Sequence, residues 1–156
     1  MLRPFLMVRY TAAGHGGSRA LRGAAVLHVF LGMAFGLGSP PVLAYFARHG
    51  ELPLSPFGWR YMAGPFERLG PEAFLALGST LVGFSTLDVM AGIWLWRGQR
   101  RGLRLALATD VAAMALAAGF ELPLLLGGVP LRAALAWAGR RGLEGDERPI
   151  VREEAM

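Results

Sequence analysis

The sequence predicts an all-α integral membrane bundle of four transmembrane helices with both termini cytoplasmic, and three observations predict it. Apolar residues make up 54% of the 156 residues and charged residues 17%, with a mean hydropathy of +0.41, whereas soluble domains carry about 25% charged residues. The apolar residues are clumped into runs near or above the roughly 20 residues that a membrane span needs. The arginines collect at the ends of those runs.

Absences narrow the chemistry. The chain has no Cys, Lys or Asn, so thiolate chemistry, cysteine-held zinc or iron–sulfur clusters and lysine Schiff bases are excluded. All 16 basic residues are arginine and the formal net charge is +5. That surplus sits where a membrane protein carries it, so nucleic acid is not an expected partner. The all-arginine, Ala/Leu/Gly-rich composition suggests a GC-rich bacterial genome, and the expected location is the bacterial cytoplasmic (inner) membrane.

Residues 1–23 form a basic segment with Arg3, Arg9, Arg19 and Arg22 and no acid. It reads equally as a surface-lying stretch or as a loose tail. The first span is placed at 24–47. Pro40 and Pro41 are expected to kink or break it in its later third, because proline removes a helix hydrogen bond and crowds the preceding turn. A secretory signal peptide is the rival reading of this run; the run is long for that, and the chain begins at Met1.

Residues 48–73 are polar and aromatic, with Arg48, Arg60 and Arg68 balancing Glu51, Glu67 and Glu72. Trp59 and Tyr61 are amphipathic and favour the headgroup level, so this external loop is expected to lie on the membrane, with an interfacial helix within 54–70. The second span, 74–96, holds one charge, Asp88, and closes on the interfacial pair Trp94 and Trp96. Arg97, Arg100, Arg101 and Arg104 follow at once.

The stretch 105–139 is too long for one span: a straight helix would reach about 52 Å against a hydrocarbon core of about 30 Å. Pro123, Gly127, Gly128 and Pro130 mark a turn, giving spans at 105–121 and 123–139; one span plus a surface helix is the alternative. Four spans put four arginines in each of the segments 1–23, 97–104 and 140–156 on the cytoplasmic side, as the positive-inside bias requires. The domains are thus the basic segment 1–23, the membrane domain 24–139 and a charged tail 140–156. Helix contact is expected at small residues: Gly32 and Gly36 in the first span, Ser79 and Gly83 in the second, and Ala113/Ala117 or Ala115/Gly119 in the third.

The informative residues are the ionisable groups inside spans, since each is costly there and calls for a partner or a function. His28 lies six residues in from Arg22, Asp88 eight before Trp96, Asp110 six past Arg104 and Arg132 eight before Arg140. All four fall about 9–12 Å below one boundary. Two readings are open. The layer is a buried polar site that relays a proton, holds a cation or binds a headgroup, or it is a set of ion pairs that locks helices together. As a metal set the residues lack any diagnostic spacing, and no metal or other cofactor is assigned. Glu121 shares a helix face with Asp110, Ala113, Met114 and Ala117, near the external end beside Pro123, where solvation is the simplest expectation.

No nucleophile–base set, phosphate loop or zinc-protease motif is present. The expected function is a non-catalytic accessory or structural subunit packing against a larger membrane complex; the alternative is a small proton, ion or lipid carrier using the His28/Asp88/Asp110/Arg132 layer. An intramembrane enzyme acting on a lipid or quinone has less support. The expected partners are the lipid bilayer and either another membrane protein or further copies of this chain.

Overall fold

The computed structural model describes residues 15–144. Four helices follow one another, α1 (His15–His49), α2 (Pro71–Trp96), α3 (Arg100–Gly119) and α4 (Pro123–Gly139), with a final turn, α5 (Arg141–Glu144). Three of them are long and apolar enough to cross a membrane, over Arg19–His49, Pro71–Trp96 and Arg100–Gly119; α4 is apolar but shorter, at 17 residues. At about 1.5 Å per residue α4 spans about 25 Å, less than the roughly 30 Å hydrocarbon core. The readings made for Arg3, Arg9 and most of the charged tail lie outside the described residues.

The helices form a ring in chain order: α1 packs on α2 and α4, and α3 packs on the same two. Neighbours run antiparallel. A Cβ at Gly92 would approach Ala25 and His28, one at Gly32 would approach Ser85 and Val89, and the Phe46 and Phe74 rings lie 4.6 Å apart. Along this seam the α1 numbers rise as the α2 numbers fall.

Short, well-closed turns set the hairpins. After α2, Gly98 takes φ 68°, the Gln99 N–H donates to the Trp94 carbonyl at 2.9 Å and the Gly98 N–H to the Leu95 carbonyl at 2.9 Å. This is a Schellman closure with glycine in the left-handed position that favours it. After α3 the same closure recurs, with the Leu122 N–H donating to Ala117 at 2.9 Å, but the left-handed residue is Glu121, at φ 46°. The second hairpin therefore carries a side chain where the first has none.

Several boundaries differ from the sequence expectations. α1 runs unbroken from His15, so the described part of the basic segment, with Arg19 and Arg22, belongs to the first helix instead of preceding it. Pro40 and Pro41 do not end it: the helix continues to His49 with both prolines on its exposed side. Packing beyond them, where Leu43 meets Gly78 and Phe46 meets Phe74, offsets the lost hydrogen bonds, as happens in membrane helices whose neighbours hold them. The turn before α4 is confined to residues 120–122, and Gly127, Gly128 and Pro130 are inside the helix.

The expected interfacial helix within 54–70 is smaller: a tight turn bridged by Leu54 and Arg60, then five residues of 3-10 helix at Pro65–Leu69. The Ser55 hydroxyl accepts from the Phe57 and Trp59 N–H groups at 3.3 and 3.2 Å, and Arg60 pairs with Glu67. Leu52, Met62 and Phe66 anchor this loop to the bundle, Phe66 meeting Phe120 edge-on at 5.0 Å. Trp59 and Tyr61 remain exposed.

The expected helix-contact residues divide. Gly32 is tightly packed, with Ser85 O 2.7 Å and Val89 Cγ2 2.8 Å from where a Cβ would sit, and Gly36 is next to Ser85. Ser79 and Gly83 face outward, and a Cβ at Gly83 would meet nothing within 4 Å. The α2 residues that close the seam are Gly78, Ser85 and Gly92. On α3, Ala113, Ala117 and Gly119 are buried while Ala115 is exposed.

Candidate functional site

The four ionisable residues from four helices meet at one point in the bundle. Arg132 and His28 are 0% exposed, Asp88 4% and Asp110 5%. Arg132 is the hub. Its Nη1 donates to Asp88 Oδ2 at 2.8 Å, its Nη2 to Asp88 Oδ1 at 3.2 Å and its Nε to Asp110 Oδ1 at 2.6 Å. The guanidinium thus forks onto Asp88 across the diagonal of the ring and holds Asp110 of the adjacent helix with its third edge. Planar, preset donors make arginine suited to this double recognition.

His28 completes the layer from α1. Its Nδ1 lies 3.4 Å from Asp88 Oδ1, an ion-pair distance when the ring is protonated. Neither ring nitrogen makes a hydrogen bond, and Asp110 Oδ2 is likewise buried without a partner. Thr109, which donates to the Ala106 carbonyl at 3.0 Å, sits beside the Asp88 carboxylate. Ser85 donates to Leu81 O at 2.8 Å, as a hydroxyl inside a helix commonly does.

The layer divides the core in two. On one side Leu31, Leu81, Ala113 and Val129 open a large aromatic and aliphatic cluster; on the other Ala25, Ala91, Ala106 and Ala136 begin a smaller, alanine-rich one. Small side chains beside the layer let the backbones approach. At Gly92 a Cβ would stand 3.1 Å from His28 Cβ and 2.8 Å from Ala25 O, so this glycine lets α1 bring His28 against α2.

Charge does not balance within the layer. Two carboxylates face one guanidinium, and a neutral His28 leaves one negative charge uncompensated in the interior. A proton shared by His28 and the carboxylates removes the deficit, as does a bound cation. His28, Asp88 and Asp110 each offer one donor atom, all within 4.8 Å of one another. Arg132 takes both oxygens of Asp88 and one of Asp110, which leaves Asp110 Oδ2 and the His28 ring nitrogens without a hydrogen bond.

Glu121 does not belong to the layer. It lies past the end of α3, exposed, in the left-handed turn. At the opposite end of the bundle from that turn, three tryptophan–arginine stacks ring the arginine-rich face: Arg22 over Trp96 at 5.7 Å, Arg101 over Trp94 at 4.4 Å and Arg140 over Trp137 at 3.5 Å. Trp94 and Trp96 were legible as an interfacial pair. The stacking of Arg22 and Arg101 on them was not legible, and Trp137 was not singled out, although Trp137 precedes Arg140 as Trp96 precedes Arg97 and Arg100. Gly92 and Thr109 were missed as neighbours of the layer; their signal is position, one turn from Asp88 and one residue from Asp110.

Compared with protein-family models, with curated proteins and with solved structures, the chain matches none.

Proposed function

We propose that the chain is a multi-pass protein of the bacterial cytoplasmic membrane, with its arginine-rich end and both termini cytoplasmic, and that it acts as a non-catalytic subunit of a larger membrane complex. The carrying observation is the closure of the ion layer. Arg132 and His28 are fully buried, and neither of the two surface depressions described reaches the layer. A sealed set of charges joined through Arg132 fixes the register of four helices without offering a substrate a path. The outer surface is left for association: Phe57 and Trp59 at the loop, with 84% and 63% exposure, and Val111, Leu124 and Leu131 along α3 and α4. The test is native mass spectrometry after gentle extraction from the source membrane. A hetero-complex of fixed stoichiometry is expected; a lone monomer or homo-oligomer overturns the subunit reading.

One observation favours a second reading, in which the layer binds a proton or cation as part of a small carrier. His28 Nδ1 and Nε2 and Asp110 Oδ2 are buried without hydrogen-bond partners, which is unusual for polar atoms in an interior. That reading expects proton or cation flux in proteoliposomes that Asp110→Asn abolishes, and an inert parent protein refutes it.

A further inference from the structure

The outer side of the α1/α2 seam carries a groove of about 640 Å³. Ala25 and Gly92, both buried, form its floor; Phe30 and Met33 of α1 and Ile93 and Trp96 of α2 form its walls. Arg97 lines one end. Arg22, one turn before Val26 on the groove side of α1, lies over the Trp96 ring at the same end. Among the described residues no acidic residue lines the groove and Arg97 makes no ion pair.

Length and charge together select the occupant. From Ala25 to Met33 the groove follows α1 for about 12 Å, and Arg22 at its mouth extends this to about 16 Å, close to half of the roughly 30 Å hydrocarbon core. A partner's transmembrane helix would run the full depth of the bilayer and so extend beyond this groove. One leaflet of depth, apolar walls and a cationic mouth match a lipid chain beneath an anionic headgroup. Basic clusters at the membrane face attract such headgroups, and here two arginines are set at the end of a shaped apolar channel.

We propose that this groove is a binding site for an anionic phospholipid, with one acyl chain between α1 and α2 and the phosphate on Arg22 and Arg97. Its phosphate lies in the leaflet that faces the arginine-rich end. The site is separate from the buried layer and does not depend on the subunit reading.

The test uses the full chain in phosphatidylcholine nanodiscs doped with brominated phosphatidylglycerol or, in parallel, brominated phosphatidylcholine of the same acyl chains. Trp96 is the reporter, its fluorescence taken as the difference between the parent and Trp96→Phe. Trp96 is expected to be quenched more strongly by the brominated phosphatidylglycerol at equal mole fraction. Arg22→Gln and Arg97→Gln each weaken that preference about fivefold. Arg101→Gln and Arg104→Gln, outside the groove, leave it unchanged. Val26→Phe, which fills the groove from an exposed helix position with both arginines intact, removes the excess quenching. Equal quenching by the two lipids overturns the proposal. So does a preference that falls as much with Arg101 or Arg104 as with Arg22 or Arg97, or one that survives Val26→Phe.

Discussion

Replacing Arg132 with methionine is the sharpest perturbation of the fold, and its consequences follow from the bond pattern. Arg132 makes three charge-assisted hydrogen bonds, two to Asp88 and one to Asp110. Methionine keeps much of the side chain's volume but leaves two carboxylates facing each other at 4% and 5% exposure. Removing one partner of a buried ion set costs about 3–5 kcal/mol, chiefly because the remaining charge is stranded. Asp88→Asn preserves an acceptor but loses the fork, a change of about 2 kcal/mol. Asp110→Asn keeps the oxygen that receives Nε and removes the uncompensated negative charge, so it is expected to shift stability by less than about 1 kcal/mol. The order of damage is therefore Arg132, then Asp88, then Asp110. Asp88→Asn, Asp110→Asn and Arg132→Met combined are expected to be less damaging than Arg132→Met alone. The assay is reversible unfolding in mixed micelles titrated with a denaturing detergent, followed by far-UV circular dichroism. Arg132→Met falling within about 1 kcal/mol of the parent would refute the reasoning. Asp110→Asn proving as damaging as Arg132→Met would refute it equally.

Three further predictions use the same assay. Gly32→Leu is expected to destabilise by about 3 kcal/mol or more, because its side chain would meet the Ser85 backbone oxygen and Val89, whereas Gly83→Leu, with nothing within 4 Å, is expected to be neutral or stabilising; equal effects would show that the α1/α2 seam is not at Gly32. Glu121→Gly is expected to stabilise by about 1 kcal/mol by relieving the left-handed backbone at φ 46°, and a loss of stability would mean that the Glu121 side chain makes a contact that matters more. Arg60→Ala breaks only the half-exposed pair with Glu67 and is expected to cost under about 1 kcal/mol; a larger loss would make that pair part of what holds the loop down.

The layer was legible because an ionised group inside a span is expensive, so His28, Asp88, Asp110 and Arg132 stand out in an apolar background. Counting residues from the nearest arginine or tryptophan gave each a depth, and equal depth on four helices implied contact. The hub was not legible. Which acid takes the forked end of Arg132 depends on the order of helices around the ring, and the sequence says nothing about a diagonal. Pro40 and Pro41 do not break α1, because packing outweighs local preference there, and the fourth span placed at 123–139 coincides with α4, with Gly127, Gly128 and Pro130 inside it although they had marked the turn.

The packing face of α2 shows a deeper limit. Phe74, Gly78, Leu81, Ser85, Asp88, Gly92 and Leu95 are buried, a succession of four- and three-residue steps that is the heptad spacing of helices packed at shallow angles. In a soluble bundle this stripe would be apolar against a polar background. Here Met90 and Ile93, on the outer face, are as apolar as the core, because lipid makes the same demand as protein. Hydrophobic periodicity therefore carries no information about which face turns inward. What remains is size and polarity: small residues recur every seventh position at Gly78, Ser85 and Gly92, and the one charged residue, Asp88, lies on the same stripe. The pair Ser79 and Gly83 also satisfies the four-residue spacing of a contact motif but is out of register with Asp88, and it faces outward. For this bundle the charged residue identifies the inner face, and the small residues are informative only where they share its register.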